Sequence, residues 1–207
     1  MKVVLYGGTG NAGSRILNEL KARGHRVIAV ARNASKVPAG VESRQDDLNN
    51  VDRIAEIIKG ADAVVSAYGP PQNDTDQLLG VTKRAIDAVR KSGKVRLIVV
   101  GGAASLEVAP GVSLLASGHL PEPWVPIATS HEKALRLLEA SDINWTYFSP
   151  AAFFEPGKRT GKFRLGERNL VSNDKGESRI SMEDYAIALV DELEKPAHER
   201  AQFTIGY

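Results

Sequence analysis

The sequence holds no cysteine among its 207 residues. That absence excludes a disulfide framework, a thiolate metal site and a cysteine nucleophile, and it suits a reducing, cytoplasmic setting. No apolar run approaches the ~20 residues a membrane-spanning helix needs. The chain runs from Met1 through Val3, Val4 and Leu5 straight into glycines, unlike a leader peptide. A soluble protein with no membrane partner is expected. Charge of one sign is also scarce. Against 27 Lys and Arg stand 25 Asp and Glu, and a net +2 builds no long-range field for nucleic acid or an anionic membrane. What remains is 43% hydrophobic and 25% charged, the balance of one globular α/β domain with a real core.

Strand-like and helix-like segments alternate along the chain. After an apolar run at residues 3–6 come glycines, and then Ala12, Ile16, Leu17 and Leu20 recur at helical spacing, with Gly24 where a left-handed cap is usual. Residues 27–31 read as a second strand. Val51, Ile54, Ala55 and Ile58 mark a helix ended by Gly60, and residues 63–67 a strand. Asp74 with Gln77 offers a helix start, Leu78, Thr82, Ala85, Ile86 and Val89 form the inner stripe, and Gly93 closes it. Residues 96–100 and 145–149 are further strands, with a helix through Leu135 and Leu138 between them. Strands that are apolar throughout suit a parallel sheet covered on both faces by helices, so the pattern predicts a doubly wound α/β sheet.

Two stretches break the alternation. Residues 101–125 carry proline and glycine without periodicity and are expected to form a long loop over a site, with Trp124 as a lid residue or a packing anchor. Residues 153–179 are glycine-rich and basic. A helix then starts at Ser181, with Met182, Tyr185, Ala186, Leu189 and Leu193 on one face, and Pro196 ends it. Residues 151–207 read as a small substrate-side extension of a single domain, 1–207.

The clearest chemical signal is Gly7-Gly8-Thr9-Gly10-Asn11-Ala12-Gly13, placed between the first strand and the first helix. Glycines there allow a tight turn and close backbone approach, while the helix N-terminus offers free amides and a positive dipole end to a pyrophosphate. A dinucleotide-binding Rossmann unit is the reading. Where an NAD site places an acid at the end of the second strand, this chain has Ala31, Arg32 and Asn33. A carboxylate would repel a 2′-phosphate and a guanidinium can pair with it, so NADP(H) is favoured over NAD(H).

These glycines, the strand ends Val30-Ala31-Arg32-Asn33 and Val99-Val100-Gly101-Gly102, and the segment Ser149-Pro150-Ala151-Ala152-Phe153-Phe154 resemble the atypical short-chain dehydrogenase/reductases of NADH-flavin reductase type, NmrA-like and biliverdin reductase B-like relatives included. The likeness continues through Gly176-Glu177-Ser178-Arg179-Ile180-Ser181 and Asp184-Tyr185-Ala186, and so covers the chain. The resemblance implies that Asp47 and Leu48 lie against the adenine and that Ser66, Ala67, Tyr68 and Gly69 flank the ribose. It also implies that Gly101, Gly102, Ser149, Pro150, Ala151 and Ala152 approach the nicotinamide.

Most oxidoreductases of the wider superfamily carry a Tyr-x-x-x-Lys pair, in which the lysine lowers the tyrosine pKa for proton exchange with a substrate alcohol. This sequence has none; aligned on residues 144–147, Ile127 stands at the tyrosine position and His131 at the lysine position. A conjugated ring that accepts hydride directly needs no such dyad. The expected activity is therefore hydride transfer from NADPH to a flavin, quinone or similar acceptor, the flavin being a substrate rather than a tightly held group. His131 resembles the histidine that biliverdin-IX-beta/flavin reductases carry at this point and is the candidate catalytic residue. Its position before Leu135 and Leu138 equally suits a satisfied histidine at the core edge. Thr129 with Glu132 would form a capping box, putting His131 in a first helical turn whose dipole keeps the imidazole neutral.

Phe153, Phe154 and Arg159, within the basic set Lys158, Arg159, Lys162, Arg164 and Arg168, are candidate acceptor contacts, or else core aromatics and a solvated loop. A non-catalytic NADP(H)-sensing regulator is the alternative function. A nucleotide-sugar epimerase or dehydratase is disfavoured, since that chemistry oxidises an alcohol. Monomer or homodimer, and no metal, complete the expectations.

Overall fold

The computed structural model describes residues 1–93 and 95–207. The elements in chain order are β1 (Lys2–Tyr6), α1 (Asn11–Ala22), β2 (Arg26–Ala31), β3 (Glu42–Gln45), α2 (Val51–Ile58), β4 (Ala63–Ser66), α3 (Gln77–Ser92), β5 (Arg96–Val100), β6 (Glu107–Ala109), β7 (Val112–Ser113), α4 (Val125–Glu139), β8 (Trp145–Ser149), β9 (Phe153–Glu155), β10 (Arg164–Gly166), β11 (Arg179–Ser181), α5 (Met182–Glu194) and β12 (Ala201–Gly206).

Because successive side chains of a strand point to opposite faces, β1 sorts the core in two. Val3 and Leu5 join Ile16, Leu17 and Leu20 of α1 and Tyr185, Leu189 and Leu193 of α5. Val4 and Tyr6 join the apolar stripes of α2, α3 and α4 on the other side. Full burial of each such side chain is worth about 1.5–3 kcal/mol, which is why the strands are apolar on both faces.

One eight-stranded sheet results, in the order β10-β12-β8-β5-β4-β1-β2-β3, parallel except where β10 runs antiparallel to β12. The order reverses between β1 and β4, and in such sheets ligands sit outside the carboxyl ends of the strands at that reversal. The Rossmann-type α/β fold is as the alternation predicted.

Several local expectations are corrected. Residues 101–125 are not a bare loop: they hold the β6–β7 hairpin and a 3-10 turn at Glu122–Trp124. Trp124 is no packing anchor, being 59% exposed. Helix α4 starts at Val125, so Thr129 lies inside it, its Oγ1 donating to the Val125 carbonyl at 2.8 Å rather than capping an end. The Asp74 carboxylate bonds the Gln77 side-chain amide (3.0 Å) instead of forming a cap; the residue before α3 is Asp76. After residue 150, α5 packs on α1 while β12 and β10 extend the main sheet, so much of this stretch belongs to the central body. The sheet also contains β3, Glu-Ser-Arg-Gln, an edge strand with no apolar signal.

Candidate functional site

At the strand-order reversal the carboxyl ends of β1, β2, β4 and β5 open into a cleft of about 450 Å³. Its floor is the glycine turn. Gly7 sits at φ +77°, and a Cβ there would lie 2.2 Å from the Ala67 carbonyl oxygen. A Cβ on Gly13 would lie 2.1 Å from the Gly7 oxygen. Both must be glycine so that the turn can press on β4 and α1 can press on the turn. Gly10 differs: it is the N-cap of α1, in extended conformation, and its Cβ would meet only the Gly7 oxygen at 3.3 Å. Among the described residues no side chain caps α1 and no acid stands in its first turn, so the amides that open the helix are left free for an anion. That arrangement fits a pyrophosphate.

One end of the cleft is polar. Arg32 directly follows β2, exposed and without a hydrogen bond or ion pair among the described residues. Opposite lie Asp46, Asp47 and Leu48. Leu48 is buried at φ +63°, its amide donating to Asp46 Oδ2 (3.1 Å) and its carbonyl accepting Arg84 Nε (2.5 Å). Burial raises the Asp46 pKa, whereas hydrogen bonds from Asn49 hold that of Asp47 low. Tyr6 lines this part with a buried hydroxyl that makes no well-formed hydrogen bond among the described residues, its pKa raised by burial and by the neighbouring Asp46 carboxylate.

The other end is formed by Val100, Gly101, His131, Phe154 and Met182. Here the glycines at the end of β5 make room for side chains of the protein itself. A Cβ on Gly101 would lie 2.4 Å from the Tyr147 ring, and one on Gly102 3.0 Å from His131 Cγ. His131 bonds Tyr147 Oη through Nδ1 at 3.0 Å. Burial lowers its pKa to about 4, so it is neutral near pH 7. Neutrality was expected, but from a helix-terminus dipole; His131 is in fact the seventh residue of α4, beyond the first turn.

Of the residues singled out from sequence, Gly7, Thr9, Gly10, Asn11, Ala12, Gly13, Arg32, Asp47, Leu48, Ala67, Tyr68, Gly69, Gly101, His131 and Phe154 line this cleft. Others stand behind it or elsewhere. Gly8 packs on Leu5, and Asn33 accepts from the Ser35 amide to cap a 3-10 turn. Ser66 ends β4, Gly102 donates to Tyr147 Oη, and buried Ser149 accepts from Gln202. Pro150 and Ala151 are buried, the Ala152 amide donates to Ser178 Oγ, and Phe153 is 54% exposed under the Arg179 guanidinium. Arg159 is paired with Glu19 at 3.0 Å, Arg164 donates to the Ser172 and Tyr207 carbonyls and Arg168 to Glu139. None of the five basic residues of that stretch lines the cleft. Sequence reasoning missed Tyr6, Val30, Asp46, Val100 and Met182 as lining residues; position at a recognised strand end was the available signal for Tyr6, Val30 and Val100, and adjacency to Asp47 that for Asp46.

A family model described as NAD(P)H-binding matches residues 7–196. The chain belongs to this NAD(P)H-binding family. It is 42% identical over 210 residues to the Bacillus subtilis protein YwnB, spanning 99% of this chain and 98% of that one. Among solved structures, a Burkholderia pseudomallei protein thought to be exported superposes with TM-score 0.93 at 43% identity, covering both chains in full (100% and 100%). A Bacteroides thetaiotaomicron protein proposed to be an epimerase gives TM-score 0.92 at 42% identity, covering 100% of this chain and 96% of that one. A Streptococcus pneumoniae protein proposed to be an NADH-flavin reductase gives 0.92 at 32% identity, covering 100% and 99%. With such neighbours the NAD(P)H-dependent oxidoreductase class is supported. No helix among the described residues is long and apolar enough to cross a membrane.

Proposed function

We propose that this protein is an NADPH-dependent reductase that delivers hydride to a flavin, quinone or similar conjugated ring. The observation that carries the reading is the composition of the cleft. Among the described residues its cations reduce to Arg32, no lysine lines it, and its two tyrosines, Tyr6 and Tyr68, both have phenols shifted upward by burial. Burial outweighs the nearby cations, Arg32 and Arg84 beside Tyr68 and Arg53 beside Tyr6, so neither phenol is brought down for proton exchange with an alcohol, which alcohol oxidation and sugar epimerisation require. When bound, the reduced nicotinamide supplies the hydride. The protein's own work is to hold a dianionic pyrophosphate on the α1 amides, to pair Arg32 with a 2′-phosphate, and to present an apolar wall of Val100, Phe154 and Met182 beside neutral His131.

A cytoplasmic location accords with a cysteine-free protein drawing on NADPH. The testing experiment follows nicotinamide absorbance with NADPH or NADH against FMN, FAD, riboflavin and quinones. Steady oxidation of NADPH with at least one ring acceptor is expected. Tight NADPH binding without turnover on any acceptor would refute the reductase reading and leave a cofactor-sensing regulator in its place.

A further inference from the structure

The Tyr147 side chain is wholly buried on β8, and its hydroxyl has three polar contacts, two of them with His131, which lines the cleft. The Gly102 amide, at 3.1 Å, can only donate. The His131 carbonyl, at 3.1 Å, can only accept. His131 Nδ1, at 3.0 Å, can do either, depending on tautomer. The hydroxyl has one proton to give and two lone pairs to fill. If it donates to the carbonyl and accepts from both nitrogens, all three contacts are hydrogen bonds. If it donates instead to Nδ1, the carbonyl contact becomes two oxygens facing each other with no proton between them. In a buried site the fully matched network is the stable one.

We propose that Tyr147 is a positioning residue that locks His131 as the Nδ1–H tautomer, so that Nε2 meets the cleft as a bare hydrogen-bond acceptor. Nε2 has no bond within the protein among the described residues, and His131 itself lines the cleft. The group that docks on it is therefore an N–H or O–H donor, carried either by the cofactor or by the acceptor ring. The glycines at 101 and 102 serve this arrangement directly: one admits the Tyr147 ring at a separation no Cβ would permit, and the other lets the imidazole approach where a Cβ would be crowded. Only the docking part rests on the reductase reading; the tautomer does not.

The test is two-bond 1H–15N correlation of imidazole-labelled protein at pH 7, with the His131 signal assigned by its loss in His131→Ala. A protonated Nδ1 and an unprotonated Nε2 are expected in the free protein, and an Nε2–H majority would overturn the proposal. Tyr147→Phe removes the lock, so the signal should move toward the Nε2–H form that free imidazole prefers; an unchanged tautomer in a folded variant would assign the lock to something other than Tyr147. Should that variant fail to fold, the wild-type spectrum still decides. A change in the Nε2 shift on adding NADP+ places the donor on the cofactor, and a change seen only after riboflavin is added places it on the acceptor. No change with either would refute the docking role. Failure of the reductase reading shows differently, as absent NADPH oxidation in wild type with the tautomer intact.

Discussion

Replacing Gly10 and Gly13 separately distinguishes a binding turn from a merely structural one. Gly10 has φ −82° and ψ 176°, which any residue adopts, and its Cβ would touch a single atom, the Gly7 oxygen at 3.3 Å. Gly10→Val therefore costs little beyond the N-cap preference, about 1 kcal/mol, or a melting temperature lower by roughly 2–4 °C for a domain of this size. Its side chain occupies the pyrophosphate's approach. Hydrogen bonds to a charged group are worth about 1.5–3 kcal/mol each, so losing two weakens binding at least ~100-fold. Gly13→Val meets backbone at 2.1 and 2.8 Å, which no rotamer relieves, and should lose about 3 kcal/mol or more of stability together with binding. Melting curves and titration of NADPH by calorimetry read both effects. The reasoning fails if Gly10→Val binds NADPH within a few-fold of wild type, or if the two variants melt alike.

Arg32→Ala should weaken NADPH by about 1–3 kcal/mol, roughly 5- to 150-fold, and leave NADH nearly unchanged; equal losses for both would show that Arg32 does not read the phosphate. His131→Ala should slow acceptor reduction by less than ~100-fold, because positioning supplies most of the rate and a bare Nε2 donates no proton. A fall of several thousand-fold at unchanged NADPH affinity would make His131 the proton donor instead. Acid stability carries a further signature of the same residue. The folded pKa of about 4 lies below the ordinary 6.5, so the unfolded chain binds the extra proton between those values. The contribution is complete above pH 6.5 and lost as pH falls toward 4, about 3 kcal/mol in urea titrations. His131→Gln should flatten that slope, and an equal slope in both proteins would count against a buried neutral imidazole.

How far the chain announces these features differs from element to element. The glycine turn, the apolar strands and the helix ends at Gly24, Gly60 and Gly93 were legible because each is a local matter: a run, a spacing, or a positive φ within a few residues. Edge strand β3 was not, since backbone hydrogen bonds to β2 hold Glu42–Gln45 and solvent-facing side chains need carry no apolar pattern. Nor was the start of α4, where the Thr129–Glu132 pair imitates a cap inside a helix that opens at Val125. Arg159 shows the limit for charges, because its partner Glu19 is 140 residues away and nothing near it in the chain points there. The same holds for the far wall of the cleft: Gly101 and Gly102 follow β5, His131 lies on α4 and Tyr147 on β8. Local sequence determined that a dinucleotide turn would form and where its strands would run. Only the packing of α4 against the sheet decided that a buried tyrosine would meet the candidate histidine, because hydrogen bonds and steric contacts act through space, over distances that spacing along the chain does not encode.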